Sequence, residues 1–491
     1  MIDAPLIAVL DDEADTSRLA RVLAQHLRAG DTVLLEGPIG AGKTHFCRAL
    51  IRARLGRDED VPSPTFTLVQ TYDADVAIWH ADLYRLTHPD EARELGLEEA
   101  FERAICLVEW PDRLGQYVPP GALRIRLSPF GAGRRAEIDL GSRRDLAGVL
   151  AAEFPGPART EACERMLDRV GWGAAKRRAL AGDASARRYQ RLSLAGQSRI
   201  LMDAPPGITQ EVTDFARIDR HLLEIGLSAP VIYAQDLAAG YMLLEDLGDL
   251  VFAGLMAQDA GREAPLCCAA IDAMLHLQSH PALPGLPDLS AVGWAEAALV
   301  VLDWYRFAIT GDRVDGTALK SGLTAALLTF ADGPKVMILR DYHAENLMWL
   351  PGRAGLARVG LLDFQLAQMG QPGYDLVSLL QDARRDVSVE TERLMLQHFV
   401  AAKGLTMAEF APSYAALGAQ RALRILGIFA RLCLVEGKSG YVALIPRVWG
   451  QLQRNLARPE LGALQQICAA LLPPPTPENL KRIEGLCSAF R

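Results

Sequence analysis

The stretch GPIGAGKT, residues 37–44, decides the fold of the first part of this chain. It fits the pattern G-x4-G-K-[ST], in which glycines let backbone N–H groups approach phosphate oxygens, a lysine neutralises phosphate charge and a hydroxyl binds Mg²⁺. The apolar run Thr32–Leu35 precedes it and the helical pattern Thr44–Leu55 follows it. A helix N-terminus at this point favours an anion. The sequence therefore predicts an α/β domain with a site for ATP and Mg²⁺.

The lysine at position 43 is unusual for this chain. The chain has seven lysines and otherwise uses arginine, and no other lysine precedes residue 176. A lysine is a compact point charge, whereas arginine presents a planar fork. The choice of lysine here therefore favours a phosphate site over a glycine-rich turn.

Short apolar runs and helical patterns alternate on both sides of the motif, as they do in α/β proteins. A helix is predicted over Ser17–Ala29, and strands over Thr65–Tyr72, Val76–Leu83, Ile105–Glu109, Leu123–Leu127 and Ala136–Leu140. Turn residues interrupt this pattern at Phe154-Pro155-Gly156-Pro157. The first domain is therefore predicted over residues 1–155, with its boundary near 155–160.

Three further segments carry groups suited to nucleotide chemistry. Pro62-Ser63-Pro64-Thr65-Phe66 predicts a stiff loop with hydroxyls that can sense a terminal phosphate. His80-Ala81-Asp82-Leu83-Tyr84-Arg85 and Cys106-Leu107-Val108-Glu109-Trp110 each place an acid at the end of an apolar strand. A carboxylate in that position can hold Mg²⁺ or orient the attacking water.

In this order, and with Glu94-Leu95-Gly96-Leu97 between them, these segments resemble the TsaE family over residues 5–150. TsaE is the ATPase component of bacterial tRNA threonylcarbamoyladenosine synthesis. The resemblance implies nucleotide contacts from Gly37, Gly40, Ala41, Gly42, Lys43, Thr44, Thr65 and Trp110. It also implies metal ligation by Thr44, Asp82 and Glu109, with the two acids acting in hydrolysis. The implied partners are TsaB and TsaD proteins, through which a tRNA is modified at adenosine 37.

Composition limits the remaining possibilities. The chain has 491 residues, enough for two or three domains, and a net charge of −8. A chain that grips nucleic acid directly usually carries a basic surface, so we expect no direct DNA binding and only indirect contact with tRNA. Neither a signal peptide nor a membrane span is predicted. The eight scattered cysteines predict reduced thiols in a cytoplasmic protein.

A second stretch, LRDYHAEN at residues 339–346, predicts a kinase catalytic loop. Asp341 would accept the proton of a substrate hydroxyl, while Asn346 and Asp363, seventeen residues further on, would hold Mg²⁺. Apolar runs at Val336–Leu339 and Val359–Leu362 flank these residues as the fold requires. We therefore predict a bilobal, protein-kinase-like (α+β) phosphotransferase domain over residues 160–491. Its N-lobe is expected at about 160–250 and its C-lobe at about 251–491.

The predicted N-lobe departs from the usual kinase pattern. Met202 stands where the ATP-binding lysine is expected, and no G-x-G-x-x-G stretch occurs. Arg187 or Arg188 is the hypothetical source of the missing positive charge. The run 242–248 predicts the hinge, in which the backbones of Glu245 and Leu247 would bind adenine.

Several segments of this half resemble the AmgK sugar kinases of the aminoglycoside phosphotransferase family. They are Gly182–Tyr189, Met202–Pro206, Arg340–Met348, Gly373–Arg385 and Ile425–Leu432. The resemblance implies phosphorylation of the anomeric hydroxyl of N-acetylmuramate or N-acetylglucosamine in cell-wall recycling. His343, Glu345 and Arg447 are candidates for sugar binding. An amino alcohol or aminoglycoside acceptor stays open, and so does a ligand-sensing pseudokinase that regulates the ATPase.

Overall fold

The computed structural model describes residues 5–10, 12–57, 59–131, 133–154, 156–180, 187–204 and 209–490, and their side chains except at 152 and 209–211. Parts of the segments 154–157, 182–189 and 202–206, to which sequence predictions were attached, lie outside these residues. Within the described ranges, no helix has the length and apolar character needed to cross a membrane.

The chain folds into two compact units. The first comprises Met1–Thr209 and Tyr233–Leu243, and the second comprises Gln210–Ile232 and Leu244–Arg491. The strands between residues 176 and 203 thus belong to the first unit. The domain boundary near 155–160 stays a prediction.

The first unit is an α/β structure followed by a small β-sheet, whose last two strands extend slightly past the bounds of the unit. The strands are β1 Leu6–Leu10, β2 Thr32–Glu36, β3 Val69–Tyr72, β4 Ile78–Asp82, β5 Ile105–Glu109, β6 Leu123–Phe130, β7 Gly133–Asp139, β8 Lys176–Ala179, β9 Arg188–Leu194, β10 Gln197–Asp203, β11 Ile232–Asp236 and β12 Tyr241–Glu245. The helices are α1 Glu13–His26, α2 Lys43–Leu55, α3 Asp90–Glu94, α4 Leu97–Arg103, α5 Ala147–Glu153 and α6 Pro157–Arg169.

The larger sheet has the order β1-β7-β6-β2-β5-β4-β3. Its central strands β2, β5 and β4 are parallel neighbours, with Leu35 opposite Glu109 and Asp82 opposite Glu109. Because parallel strands end at the same edge of a sheet, the glycine-rich loop after β2 and the two acids meet there. The smaller sheet has the order β11-β12-β10-β9-β8.

Two predicted elements of this unit begin four residues away from the predicted position. Helix α1 begins at Glu13, four residues before the predicted Ser17, because the Asp12 carboxylate caps it by accepting the Asp15 amide at 2.8 Å. The strand predicted from Thr65 begins only at Val69. Residues 64–68 form turns, closed by the Leu68 amide on the Pro64 carbonyl at 2.6 Å. This places Thr65 on a loop, where a hydroxyl can reach the acids.

The second unit is mostly helical. Its helices are α7 Thr209–Glu224, α8 Phe252–Gln258, α9 Glu263–Ser279, α10 Ala291–Ala298, α11 Phe307–Thr310, α12 Thr317–Phe330, α13 Tyr374–Leu380, α14 Val389–Ala402, α15 Met407–Glu436, α16 Ile445–Leu456, α17 Gly462–Leu471 and α18 Pro477–Gly485. Its strands are β13 Val336–Ile338, β14 Leu347–Trp349, β15 Val359–Leu361 and β16 Gln368–Gly370. They form two antiparallel pairs, β13 with β16 and β14 with β15.

The prediction that every cysteine is a reduced thiol is wrong for one pair. A disulfide joins Cys433, in the last turns of α15, to Cys487. The Ser488 amide donates to the Cys433 carbonyl at 3.0 Å, and the Phe490 amide donates to the Leu434 carbonyl at 3.1 Å. The C-terminal residues therefore run along the end of α15, an approach that the spacing of cysteines in the sequence does not reveal.

Candidate functional site

The glycine-rich loop has a closed side and an open side. A Cβ on Gly37 would collide with the Leu127 carbonyl oxygen of β6, so this position has no room for a side chain. A Cβ on Gly40 would meet nothing within 4 Å. The loop is thus packed against the sheet at one end and open where its amides could receive a phosphate.

The Lys43 side chain lies inside this loop. Its Nζ donates to the carbonyls of Gly37 at 2.7 Å and Pro38 at 3.0 Å, and it sits 3.8 Å from the centre of the Trp110 ring. Burial lowers the pKa of the Lys43 ammonium, and the charges of Glu109 and Asp82 oppose this effect. The ammonium is therefore held where a phosphate would take over its hydrogen bonds.

Glu109 is fixed at both of its carboxylate oxygens. The Thr44 hydroxyl donates to Oε2 at 3.0 Å, and the His80 Nε2 lies 3.0 Å from Oε1. Glu109 is 2% exposed and His80 is fully buried. His80 has no role in the prediction from sequence, although a histidine two residues before the Asp82 carboxylate is a usable signal. The other ring nitrogen of His80 has no hydrogen-bond partner among the residues described.

Asp82 is held in a similar way by its own loop. The Thr65 hydroxyl donates to Oδ2 at 2.7 Å, and the Tyr84 amide donates to Oδ1 at 3.1 Å. Asp82 is 4% exposed, so it lies beside Glu109 at the buried end of two paired strands. The structure brings the predicted set together: a hydroxyl at 44, a hydroxyl at 65 and two carboxylates. Hard oxygen ligands of this kind are what Mg²⁺ takes in phosphate sites, so the residues fit this ion.

A buried thiol lies beside this group. Cys47, His80 and Glu109 offer ligand atoms within 4.8 Å of one another. Burial raises the pKa of the Cys47 thiol well above its usual value, and the nearby Glu109 and Asp82 charges add to this effect. Cys47 is therefore a protonated thiol that packs under the acids. The ring of Trp110, a residue with a left-handed backbone (φ 61°), stacks at a tilt on Tyr84 with centroids 5.1 Å apart.

In the second unit, the predicted catalytic loop joins β13 to β14. The Asn346 Nδ2 donates to the Asp341 carbonyl at 2.9 Å, which closes the loop on itself. Asp363 follows β15 with φ 56°, and its Oδ1 accepts from the Gln365 Nε2 at 2.8 Å. Since Leu347 pairs with Leu361 across β14 and β15, Asn346 and Asp363 leave the paired strands at the same end.

A buried carboxylate supports the loop from behind. Asp375, fully buried at the start of α13, accepts the Leu339 amide at 2.7 Å and the Arg340 amide at 2.9 Å. Burial raises the pKa of Asp375 to about 7, against the effect of these two amides. Asp375 therefore braces the start of the catalytic loop through its backbone.

The residues at the ATP site predicted for the N-lobe are buried or make contacts within the protein. The Glu245 amide donates to the Val231 carbonyl at 2.8 Å, and its carboxylate pairs with Arg353. The Leu247 side chain borders Gly360. Met202 is fully buried in β10, and Arg187 is 3% exposed.

The two other arginines that were candidates for binding make ion pairs. Arg188 pairs with Glu153 and with Asp203, each at 3.6 Å. Arg447 donates to Asp386 at 2.7 Å. The predicted nucleotide and sugar roles of these residues remain predictions.

The catalytic loop also contacts Arg384, a residue that has no role in the prediction from sequence. Arg384 pairs with Glu345, and the Arg384 amide donates to the buried Asp382 carboxylate at 2.8 Å. Burial lowers the pKa of His343 to about 3, and the charges of Arg384 and Arg421 add to this effect. Both Asp382 and Arg384 lie within the segment Gly373–Arg385, but nothing in one sequence distinguishes them there.

Two family descriptions match this chain. "Threonylcarbamoyl adenosine biosynthesis protein TsaE" matches residues 10–136, and "Phosphotransferase enzyme family" matches residues 176–417. Both matches contain the groups described above: the glycine-rich loop with its two acids in the first, and the catalytic loop with Asp363 and Asp375 in the second.

Named relatives match each half. An N-acetylmuramate/N-acetylglucosamine kinase of Caulobacter vibrioides is 38% identical over 339 residues, covering 61% of this chain and 93% of the relative. A kinase of the same name from Pseudomonas putida is 33% identical over 314 residues, covering 60% and 87%. A tRNA threonylcarbamoyladenosine biosynthesis protein TsaE of Rickettsia felis is 41% identical over 128 residues, covering 26% of this chain and 75% of the relative.

Proposed function

Because this chain belongs to the TsaE family in its first part and to the phosphotransferase enzyme family in its second, we propose that it is a bifunctional enzyme. The first part hydrolyses ATP in support of tRNA threonylcarbamoyladenosine synthesis. The second transfers the terminal phosphate of ATP to the anomeric hydroxyl of N-acetylmuramate or N-acetylglucosamine. The observation that carries the ATPase is the Thr44–Glu109 contact of 3.0 Å beneath the glycine-rich loop. For the kinase it is the closed loop that holds Asp341 and Asn346.

In the ATPase, the chain's residues act by position and charge. Lys43 exchanges its bonds to the Gly37 and Pro38 carbonyls for phosphate oxygens. Thr44, Asp82 and Glu109 would hold Mg²⁺, which neutralises phosphate charge when bound. Glu109, kept in orientation by His80, directs the attacking water at the terminal phosphorus. Thr65 links its loop to Asp82 and so couples the loop to the acids.

In the kinase, Asp341 accepts the proton of the sugar's anomeric hydroxyl as its oxygen bonds to the terminal phosphorus of ATP and the bond to ADP breaks. Asn346 and Asp363 are the proposed Mg²⁺ ligands. Asp375 keeps the loop in place through the two backbone amides at its start.

Partners and location follow from the TsaE assignment. We propose that TsaB- and TsaD-like proteins assemble with the first part, and that tRNA is met through them, consistent with a net charge of −8. A cytoplasmic location suits both activities, since each uses ATP.

The ATPase is tested by Lys43→Ala in the full chain. The expected result is loss of ATP hydrolysis by at least about 100-fold, because phosphate charge is no longer compensated, with sugar phosphorylation unchanged. Hydrolysis at the normal rate would refute the proposed P-loop site. A matching fall in sugar phosphorylation would refute two independent sites.

The kinase is tested with a panel of hydroxyl acceptors: both amino sugars, an aminoglycoside and an amino alcohol. We expect sugar 1-phosphate from the amino sugars and its loss with Asp341→Asn. Product from another acceptor would replace the proposed substrate. Nucleotide binding without any product would support a ligand-sensing pseudokinase instead.

A further inference from the structure

An ion pair lies directly on the catalytic loop. Glu345, the residue before Asn346, pairs with Arg384, which follows α13. The Glu345 side chain is 43% exposed and the Arg384 side chain 28%, so a ligand in solution can reach both. The Glu345 carboxylate thus pairs with the Arg384 guanidinium beside Asp341 and Asn346, the residues proposed to act in the kinase reaction.

Neighbouring ion pairs of the same segment have a different character. Arg385 pairs with Glu263, whose side chain is 11% exposed and also accepts the Ser388 amide at 3.0 Å. Arg447 pairs with Asp386. These contacts tie helices and turns together, whereas the Arg384–Glu345 pair reaches the catalytic loop. The Arg384 guanidinium is therefore the one of the three that faces the chemistry.

Polar atoms beside this pair have no hydrogen-bond partner in the part of the chain that the structure describes. Asp382 is 2% exposed; its Oδ1 accepts the Arg384 amide, and its Oδ2 has no partner. The Nδ1 of His343 likewise has none. Buried polar groups are normally hydrogen-bonded, so these atoms indicate a polar ligand that completes them. A sugar carries hydroxyl and amide groups of the required kind.

We propose that Arg384 binds the carboxylate of an acidic sugar acceptor, and that Glu345 takes the place of this carboxylate when no acceptor is bound. This rests on the proposed kinase function. The two candidate sugars differ by a lactyl ether, whose carboxylate is present only in N-acetylmuramate. A guanidinium binds a carboxylate through two parallel hydrogen bonds, and exchanging one carboxylate for another keeps its charge paired. Arg384 then favours N-acetylmuramate over N-acetylglucosamine.

The test compares kcat/KM for the two sugars in the full chain. Arg384→Ala should lower the value for N-acetylmuramate about 10- to 100-fold, as expected for a lost charge-assisted contact. The value for N-acetylglucosamine should change less than about 3-fold. Glu345→Gln, which removes the competing carboxylate, should lower KM for N-acetylmuramate alone. Arg393→Ala, which breaks the exposed pair with Glu390 on α14, is the control and should leave kcat/KM for both sugars unchanged.

The outcomes separate this proposal from the one on which it rests. If the unaltered chain phosphorylates both sugars and Arg384→Ala lowers both equally, the kinase assignment stands and the carboxylate site is refuted. The carboxylate site is also refuted if Arg384→Ala leaves the ratio of kcat/KM for the two sugars unchanged and Glu345→Gln leaves KM for N-acetylmuramate unchanged. If the unaltered chain phosphorylates neither sugar, the proposed function fails, and this inference fails with it.

Discussion

Glu109 in the first site and the catalytic loop around Asp341 in the second are held by different means. In the first unit, side chains do this: Thr44 and His80 each occupy one oxygen of Glu109. In the second unit the backbone does it, because Asp375 holds the amides at positions 339 and 340 and Asn346 bonds to the Asp341 carbonyl.

The difference has a physical consequence for substitution. The orientation of Glu109 depends on each of its two side-chain partners, while the start of the catalytic loop depends on the single buried acceptor Asp375. Changes around Glu109 should therefore lower ATP turnover and leave sugar phosphorylation unaffected. Changes at Asp375 should alter stability and kinase activity together.

The largest expected effect is from Glu109→Gln. Removing this carboxylate should lower kcat for ATP hydrolysis about 100- to 10,000-fold, the range for a group that positions or deprotonates the attacking water. Single-turnover hydrolysis measures it, with nucleotide affinity recorded in parallel. A kcat within threefold of the unaltered chain would remove Glu109 from the mechanism.

The sequence predicts the residues that belong to motifs, but not the contacts that depend on how distant segments pair. Motifs predicted the glycine-rich loop, Asp82, Glu109, Asp341 and Asn346, because their chemistry requires fixed residue types at fixed spacings. They did not predict that His80 supports Glu109, since that contact depends on the register of β4 against β5.

The strands and the disulfide also separate what one sequence predicts from what it does not. Most strands of the first unit were predicted because short apolar runs specify them, whereas residues 65–68 of the strand expected from Thr65 form turns. The disulfide between Cys433 and Cys487 was missed because it depends on where the chain's last residues pack. Local pattern is readable from one sequence; pairing between distant segments is not.

The next effect is expected at His80. His80→Ala removes a buried bond to a charged group, worth about 1.5–3 kcal/mol, which corresponds to about a 10- to 100-fold lower kcat for ATP hydrolysis. His80→Gln keeps an N–H donor and should recover part of the loss. His88→Ala, an exposed histidine of the same unit, is the control.

A positioning role for His80 requires that kcat falls while affinity for the nucleotide stays. Equilibrium binding of a non-hydrolysable ATP analogue, followed by Trp110 fluorescence, tests this directly. A parallel loss of binding, or no recovery with glutamine, would show that His80 serves packing alone.

In the second unit, Asp375→Asn tests support through the backbone. Asparagine keeps one acceptor oxygen and loses the other, so one of two buried amides is left without a partner. The expected cost is about 1–3 kcal/mol in the free energy of unfolding, with a lower kcat for sugar phosphorylation. Urea unfolding, followed separately for each unit's transition, measures the first quantity. Unchanged stability and activity would show that the loop needs no such support.

The pH dependence of stability sharpens the same test. Burial raises the pKa of Asp375 from 3.8 to about 7, while Asp341 raises it and Arg421 lowers it in turn. Between these values the folded state keeps a proton that the unfolded state releases, so the contribution of Asp375 to stability falls as pH rises from about 4 to 7. Asp375→Asn should flatten this slope. A slope unchanged by the substitution would assign the pH dependence to other groups.

The smallest effect is expected from Trp110→Phe. The Lys43 ammonium lies 3.8 Å from the indole ring, and phenylalanine retains an aromatic face with a weaker attraction for a cation. A difference of about 0.5–1 kcal/mol corresponds to a 2- to 5-fold weaker affinity for ATP, because the lysine is held less well in the loop. Isothermal titration measures it, and Trp79→Phe, on β4 and outside the acid cluster, is the matched control. An effect as large as that of His80→Ala would mean that an aromatic ring, and not only the hydrogen-bonding side chains, holds the charges of the first site.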